Sequence, residues 1–305
     1  MTTEIQSGEV SNNAVLVNLN IRTWAANVMD HSVSMAIAES HGTDKKMGRF
    51  WKTLVAKGTG TPLGEIYGIE RAARKFHYEN TLPWMHDGLR ILPTSNYQSY
   101  MTEMRTHKQA LEVAIGKFLN HYEAMKETAK ADLKSLYRDE DYPTRTIVAR
   151  RFGLEIGVLP MPKAETFVDT HNLSPIEVQR IKRELESDLA ITFQRANEDL
   201  WTRLYDCVNN LQERLNGNPQ YLREQVLENA NDLLELLPRL NVNNDHRLED
   251  LRAKLKSTFS GMTAEGLRSD VVTRSRAAEE VSSIESMMAS FMGGRPPKLG
   301  LKNAA

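Results

Sequence analysis

One cysteine in 305 residues, Cys207, has no second thiol to meet, which excludes an internal disulfide framework and any cysteine-rich zinc module and suits a reducing compartment. Long apolar runs are missing too. Nothing approaches the roughly 20 residues that span a bilayer, and the opening MTTEIQSGEVSNN carries neither the basic nor the apolar block of a signal peptide. Nor is there an excess of one charge: Lys+Arg 39 against Asp+Glu 40 leave a formal charge of -1, so no global field draws the chain onto nucleic acid or an anionic membrane. Catalytic signatures are absent as well. GTGTPLG lacks the Lys-Ser/Thr that follows in a phosphate-binding loop, and neither HExxH nor GxSxG occurs. These absences describe a cytoplasmic, non-enzymatic chain for which no cofactor is expected.

What is present is enough apolar material for a sizeable core, at 40% hydrophobic and 26% charged. Val15, Val17, Leu19 and Ile21 mark the period-2 pattern of a half-buried strand. A helix follows over about 29–41, stopped by Gly42, and KKMGRFWKTLVA reads as a second, short one. Pro62 opens a third, running to about Tyr78. Then Tyr97, Met101, Met104, Leu111, Ile115, Phe118, Tyr122, Met125 and Ala129 recur at threes and fours, missing one beat at Lys108, and predict a helix over about 96–136. It would be roughly 60 Å long at 1.5 Å per residue. Ser174 as N-cap and Pro175 at the first position open another over 174–216, with Val178, Ile181, Leu185, Leu189, Phe193, Ala196, Leu200, Leu204, Leu211 and Leu215 on one stripe.

Two narrow stripes of matching length are expected to lie against each other as a long antiparallel helical hairpin. GLRILP, VLVNLNIR and residues 152–159 supply three strands for one small sheet at its base. The expected class is therefore α+β, predominantly helical. Residues 1–13 and 293–305 read as flexible ends and 14–217 as the hairpin with its sheet. Residues 218–292 read as C-terminal helices, broken at Pro238 and at the Asn-rich turn 241–244.

ARKFHYENTLPWMHDGLRILP, YRDEDYP, VLPMP and DLWTRLYD together resemble an uncharacterised family of helical proteins encoded mainly by tailed bacteriophages and some bacteria, some near AAA+ ATPase genes of the MoxR type. The likeness covers roughly residues 15–215. It implies a phage context in the host cytoplasm, with an AAA+ ATPase among the partners to consider, and supplies no reaction.

FHYENTLPWMHDGLRILP gathers the densest chemistry in the chain. His77, Glu79, His86 and Asp87 are of the types that bind Zn, Mn or Fe, which makes His77, His86 and Asp87 the candidates for a metal-dependent hydrolase. The spacing argues instead for a corner, because helical residues at i and i+2 point about 200° apart. Pro83 then fixes an extended turn, Trp84 plugs the junction and Asp87-Gly88 turns the chain. The acidic run Asp139, Glu140, Asp141 reads as solvated, offsetting Arg138, Arg145, Arg150 and Arg151 and capping a helix opened by Pro143. Arg145, Arg150 and Arg151 are the candidates for phosphate contacts, as in a nucleic-acid-associated replication or recombination protein. A second sparse group is Arg268, Arg274 and Arg276, and neither group has the interleaved aromatics that stack bases.

Cys207 falls on the apolar stripe and reads as a buried, inert thiol. Near the C-terminus, Ile284, Met287, Met288, Phe291 and Met292 form the partner-binding candidate, since methionine adapts to surfaces that must repack. The alternative is that they close the chain's own core. The reading adopted is an interaction protein acting on a host or phage protein complex and assembling as a homo-oligomer, because a two-helix stalk leaves apolar flanks that residues 219–292 or another subunit must cover.

Overall fold

The structure is a computed structural model and describes residues 13–44, 48–163 and 174–291. It is α+β and 68% helical, with a small antiparallel sheet. In chain order the elements are β1 (Ala14–Arg22), β2 (Asn27–Met29), α1 (His31–Ser40), β3 (Trp51–Thr53), α2 (Pro62–Glu79), β4 (Leu82–Pro83), β5 (Arg90–Pro93), α3 (Thr94–Leu133), α4 (Arg145–Ala149), β6 (Gly153–Pro160), α5 (Pro175–Asn216), α6 (Glu224–Leu240), α7 (His246–Thr258), α8 (Ala264–Ser269) and α9 (Val271–Phe291). Short 3-10 turns at Lys134–Leu136, Asp139–Asp141 and Pro219–Tyr221 punctuate the connections. The chain divides into two compact units, one of residues 1–18, 79–98 and 158–305, the other of 19–78 and 99–157.

In the first unit, β5 pairs antiparallel with β1, from Ala14 opposite Pro93 to Val17 opposite Arg90, and with β4, Leu82 facing Ile91. The expected strands at 88–93 and 152–159 are β5 and β6, and the sheet order is β4-β5-β1-β6. A fourth strand, β4, is thus added to the three read from sequence. It consists of two residues ending at Pro83, a residue that cannot donate to a further ladder.

The first unit's core is built on α5, whose Leu189, Phe193, Ala196, Leu200, Leu204, Val208, Leu211 and Leu215 are all buried. Their cover comes from Leu227, Leu234 and Leu237 of α6, Leu248, Leu251 and Leu255 of α7, and Ala277, Val281, Ile284 and Met288 of α9, which runs closely along α5. Each fully buried Leu, Ile or Met of this kind is worth about 1.5–3 kcal/mol. Helices α6 to α9 therefore share one core with α5.

The stripe of α3 has its own cover in the second unit. Phe118, fully buried, meets Trp24 and Phe152 edge to face with centroids 6.2 and 5.6 Å apart, and Tyr122 packs beside it. The long antiparallel hairpin expected from matching stripes is not confirmed. Residues 99–133 of α3 are covered within the second unit and α5 within the first, by shorter elements whose complementary apolar faces spacing along the long helices does not reveal.

Two further expectations are corrected. The stretch read as a short helix through Trp51 is β3, whose exposed-buried-exposed alternation turns Lys52 inward and pairs Trp51 with Met29. Pro238 does not break α6, although a proline frees the carbonyl four residues before it. Here the Leu234 carbonyl accepts from Arg252 Nη1 at 3.2 Å, so the helix runs on to Leu240.

Candidate functional site

The corner around residues 76–93 divides between the units. His77, on α2, is buried, and its Nδ1 shares a 2.7 Å hydrogen bond with the Tyr100 hydroxyl, while Phe76 stacks on the Tyr100 ring. His86 and Asp87 belong to the other unit and are exposed at a turn completed by Gly88, whose φ of 83° lies in the left-handed region that favours glycine. Among the described residues no group of three or more His, Cys, Asp or Glu side chains is arranged to hold a metal ion. Trp84 packs against the first unit's core. Arg90 ties the corner by donating to Thr81 Oγ1 at 2.6 Å and to the Thr81 carbonyl at 3.0 Å.

Arg145 donates to Asn120 Oδ1, Arg151 lies over the Trp24 ring at 5.9 Å, and Arg150 is exposed. Arg268 donates to the Leu222 carbonyl and Arg274 to those of Leu267 and Arg268, so these two hold the α8 region together. Arg276 is exposed.

The acidic run departs from the solvated reading at one position. Asp139 is exposed and accepts from the Tyr137 hydroxyl. Asp141 instead turns inward to Lys52, its Oδ2 lying 2.6 Å from Nζ. Lys52 is 2% exposed and also faces Asp30, the N-cap of α1, whose Oδ1 accepts from the Val33 amide. That backbone hydrogen bond and the Lys52 ammonium hold the Asp30 carboxyl below the usual range. Desolvation pulls the pKa of the Lys52 ammonium down, but its bonds to Asp141 and Asp30 outweigh this and raise it. Tyr142 closes the cluster, donating to the Leu54 carbonyl at 3.0 Å, and burial pushes its phenol up to about 12.

In the first unit the partner-binding candidates separate. Ile284 and Met288 are fully buried in the core, Met287 is half-buried against it, and Phe291 is 47% exposed; Met292 lies outside the described residues. An α-helix that packs one stripe presents 284 and 288 to the core and leaves 287 and 291 at its margin. The Phe291 ring meets Trp201 edge to face at 6.0 Å, and the Arg247 guanidinium lies 5.8 Å from the Phe291 centroid. Beneath them Asp245, the N-cap of α7, accepts from Trp201 Nε1 at 3.0 Å and from Asn197 Nδ2 at 3.3 Å, while its other oxygen takes the Arg247 amide. Burial raises the Asp245 carboxyl's pKa, but the bonds from Trp201, Asn197 and Arg247 prevail and hold it below the ordinary value.

Sequence reading missed Lys52, Asp30, Trp201, Asp245 and Arg247. Asp30 and Asp245, each an Asp before a helical segment, carry a cap signal that would have found them. Cys207 is largely buried, and desolvation pushes its thiol up to about 12. Among the described residues no helix is long and apolar enough to cross a membrane. Comparison with family models, curated proteins and solved structures finds no match.

Proposed function

We propose that this is a non-enzymatic protein-interaction protein of phage origin, acting in the host cytoplasm on a host or phage protein complex. The observation that supports this reading is the surface at the end of α9, where exposed Phe291 rests on buried Trp201 beside exposed Arg247 and half-buried Met287. Aromatic, Arg and Met side chains are enriched at interfaces, and Met adapts to its neighbour. Phe291 is held in place by Trp201 and Arg247 within its own unit, so little ordering entropy would be spent on binding. The phage setting, self-assembly and an AAA+ ATPase as partner are further parts of the proposal, drawn from the sequence resemblance and composition.

The test is affinity purification of the tagged chain from infected cells, in parallel with a Met287→Ser/Phe291→Ser variant. A protein captured by the wild type and lost with the variant, whose melting temperature stays within a few degrees, is the expected outcome. Identical capture by both chains would overturn the reading. So would a complex rich in 260 nm absorbance that dissolves at high salt, which would return Arg145, Arg150 and Arg151 to the front.

A further inference from the structure

Lys52 Nζ faces three oxygens from separate segments: Asp141 Oδ2 at 2.6 Å, the Leu136 carbonyl at 3.0 Å and Asp30 Oδ2 at 3.1 Å. An ammonium has three N–H donors, and each finds an acceptor here. The side chains are dry, with Lys52 1%, Asp30 2% and Asp141 15% exposed. Without the cation, two carboxylates would be left facing one another in an interior where an unpaired charge is costly.

We propose that Asp30, Asp141 and the Leu136 carbonyl form a socket for a primary ammonium group, filled from inside the chain by Lys52. Its occupation holds the 136–141 turn against β3. Three oxygens suit a tetrahedral ammonium and fall short of the six or more that calcium takes. A planar guanidinium cannot splay three protons as a tripod from one nitrogen as –NH₃⁺ does. The anchoring is long-range, since Lys52 is 84 residues from Leu136 and 89 from Asp141 along the chain. Among the described residues, the turn's own backbone bonds are the short-range ones, such as Tyr137 to Lys134, Asp141 to Arg138 and Tyr142 to Asp139.

Removing the side chain beyond Cβ leaves a space with the outline of n-propylammonium, so the socket is testable by chemical rescue in the full-length chain. Lys52→Ala is expected to melt below wild type and to regain about 2 °C with n-propylammonium at roughly tenfold its dissociation constant. n-Propanol should give no such gain. Wild type and Lys52→Met, where the space is filled, should not respond beyond the general effect of salt. In Lys52→Met, hydrogen exchange at the Tyr137, Asp141 and Tyr142 amides should accelerate at least tenfold.

Rescue by propanol as good as by the amine would overturn the proposal. So would no selective rise in Lys52→Ala, or wild-type exchange protection in Lys52→Met. If Lys52→Ala does not fold by itself, the amine must restore folding, and failure to do so counts equally against the socket.

Discussion

Trp201→Phe separates two contributions at the α9 surface by their dependence on pH. The substitution keeps an aromatic ring against Phe291 but removes the indole N–H that donates to Asp245 Oδ2 at 3.0 Å. A hydrogen bond to a charged acceptor is worth about 1.5–3 kcal/mol. The smaller ring leaves a void of roughly 40 Å³, which at about 24 cal/mol per Å³ adds about 1 kcal/mol. At pH 7 the total cost is about 3 kcal/mol. Because the folded Asp245 carboxyl sits below its unfolded value, its contribution is present above about pH 4 and is lost as pH falls through the folded value. In the variant that carboxyl moves back up, so the difference between the two proteins shrinks toward the void's share as pH falls below about 4 and through the folded value. Urea denaturation followed by circular dichroism at pH 7, 5 and 3 measures this. A cost independent of pH, or one below about 1 kcal/mol at pH 7, would refute the idea that the indole-carboxylate bond organises this surface.

Gly64→Ala should destabilise the chain by about 1–3 kcal/mol in thermal melts, because a Cβ there meets the backbone carbonyl of Gly58. Helix propensity alone predicts a gain of about 1 kcal/mol, so the sign of the result decides between the two effects. Lys134→Gly should stabilise by about 0.5–1 kcal/mol, since Lys134 is exposed and adopts a φ of 49°, where a Cβ is strained; unchanged or lower stability by urea titration would contradict this. Cys207, with its thiol pushed up to about 12, should react with iodoacetamide at pH 8 about 10³-fold more slowly in the native chain than in urea. Comparable rates in the two states would show the thiol to be open to solvent.

The elements that were legible in the sequence are those whose signal is local. The start of α5 follows from Ser174, whose side chain accepts from the Glu177 amide, and from Pro175 at the first position, where a missing N–H costs nothing. Its end at Asn216 and the span of α3 follow from where the period of three and four stops. What covers each stripe did not follow. A stripe states that an apolar face must be buried but does not name the partner. Sequence left open whether residues 219–292 or another subunit cover the flanks, and within the first unit α6, α7 and α9 together offer Leu237, Leu255, Ile284 and Met288 to the face of α5. Likewise the break at Pro238 was predicted from the proline alone, whereas its continuation depends on Arg252, 18 residues from the carbonyl it rescues.

The polar clusters were illegible for a related reason. In isolation Lys52 is a lysine between an exposed Trp and an exposed Thr, and Asp141 is the last of three acids, so composition assigns both to solvent. Either is tolerable in the interior only because the other is there. Such a pair is a property of the fold, formed from residues 89 apart, and neither member's neighbourhood in sequence announces it. The same holds for Trp201 and Asp245, 44 residues apart, on which the exposed Phe291 rests. A surface aromatic can be read from composition as a place where a partner binds. Whether it is rigid enough to bind with little loss of entropy depends on the buried bond beneath it, and that bond is what Trp201→Phe removes while leaving the exposed ring in place.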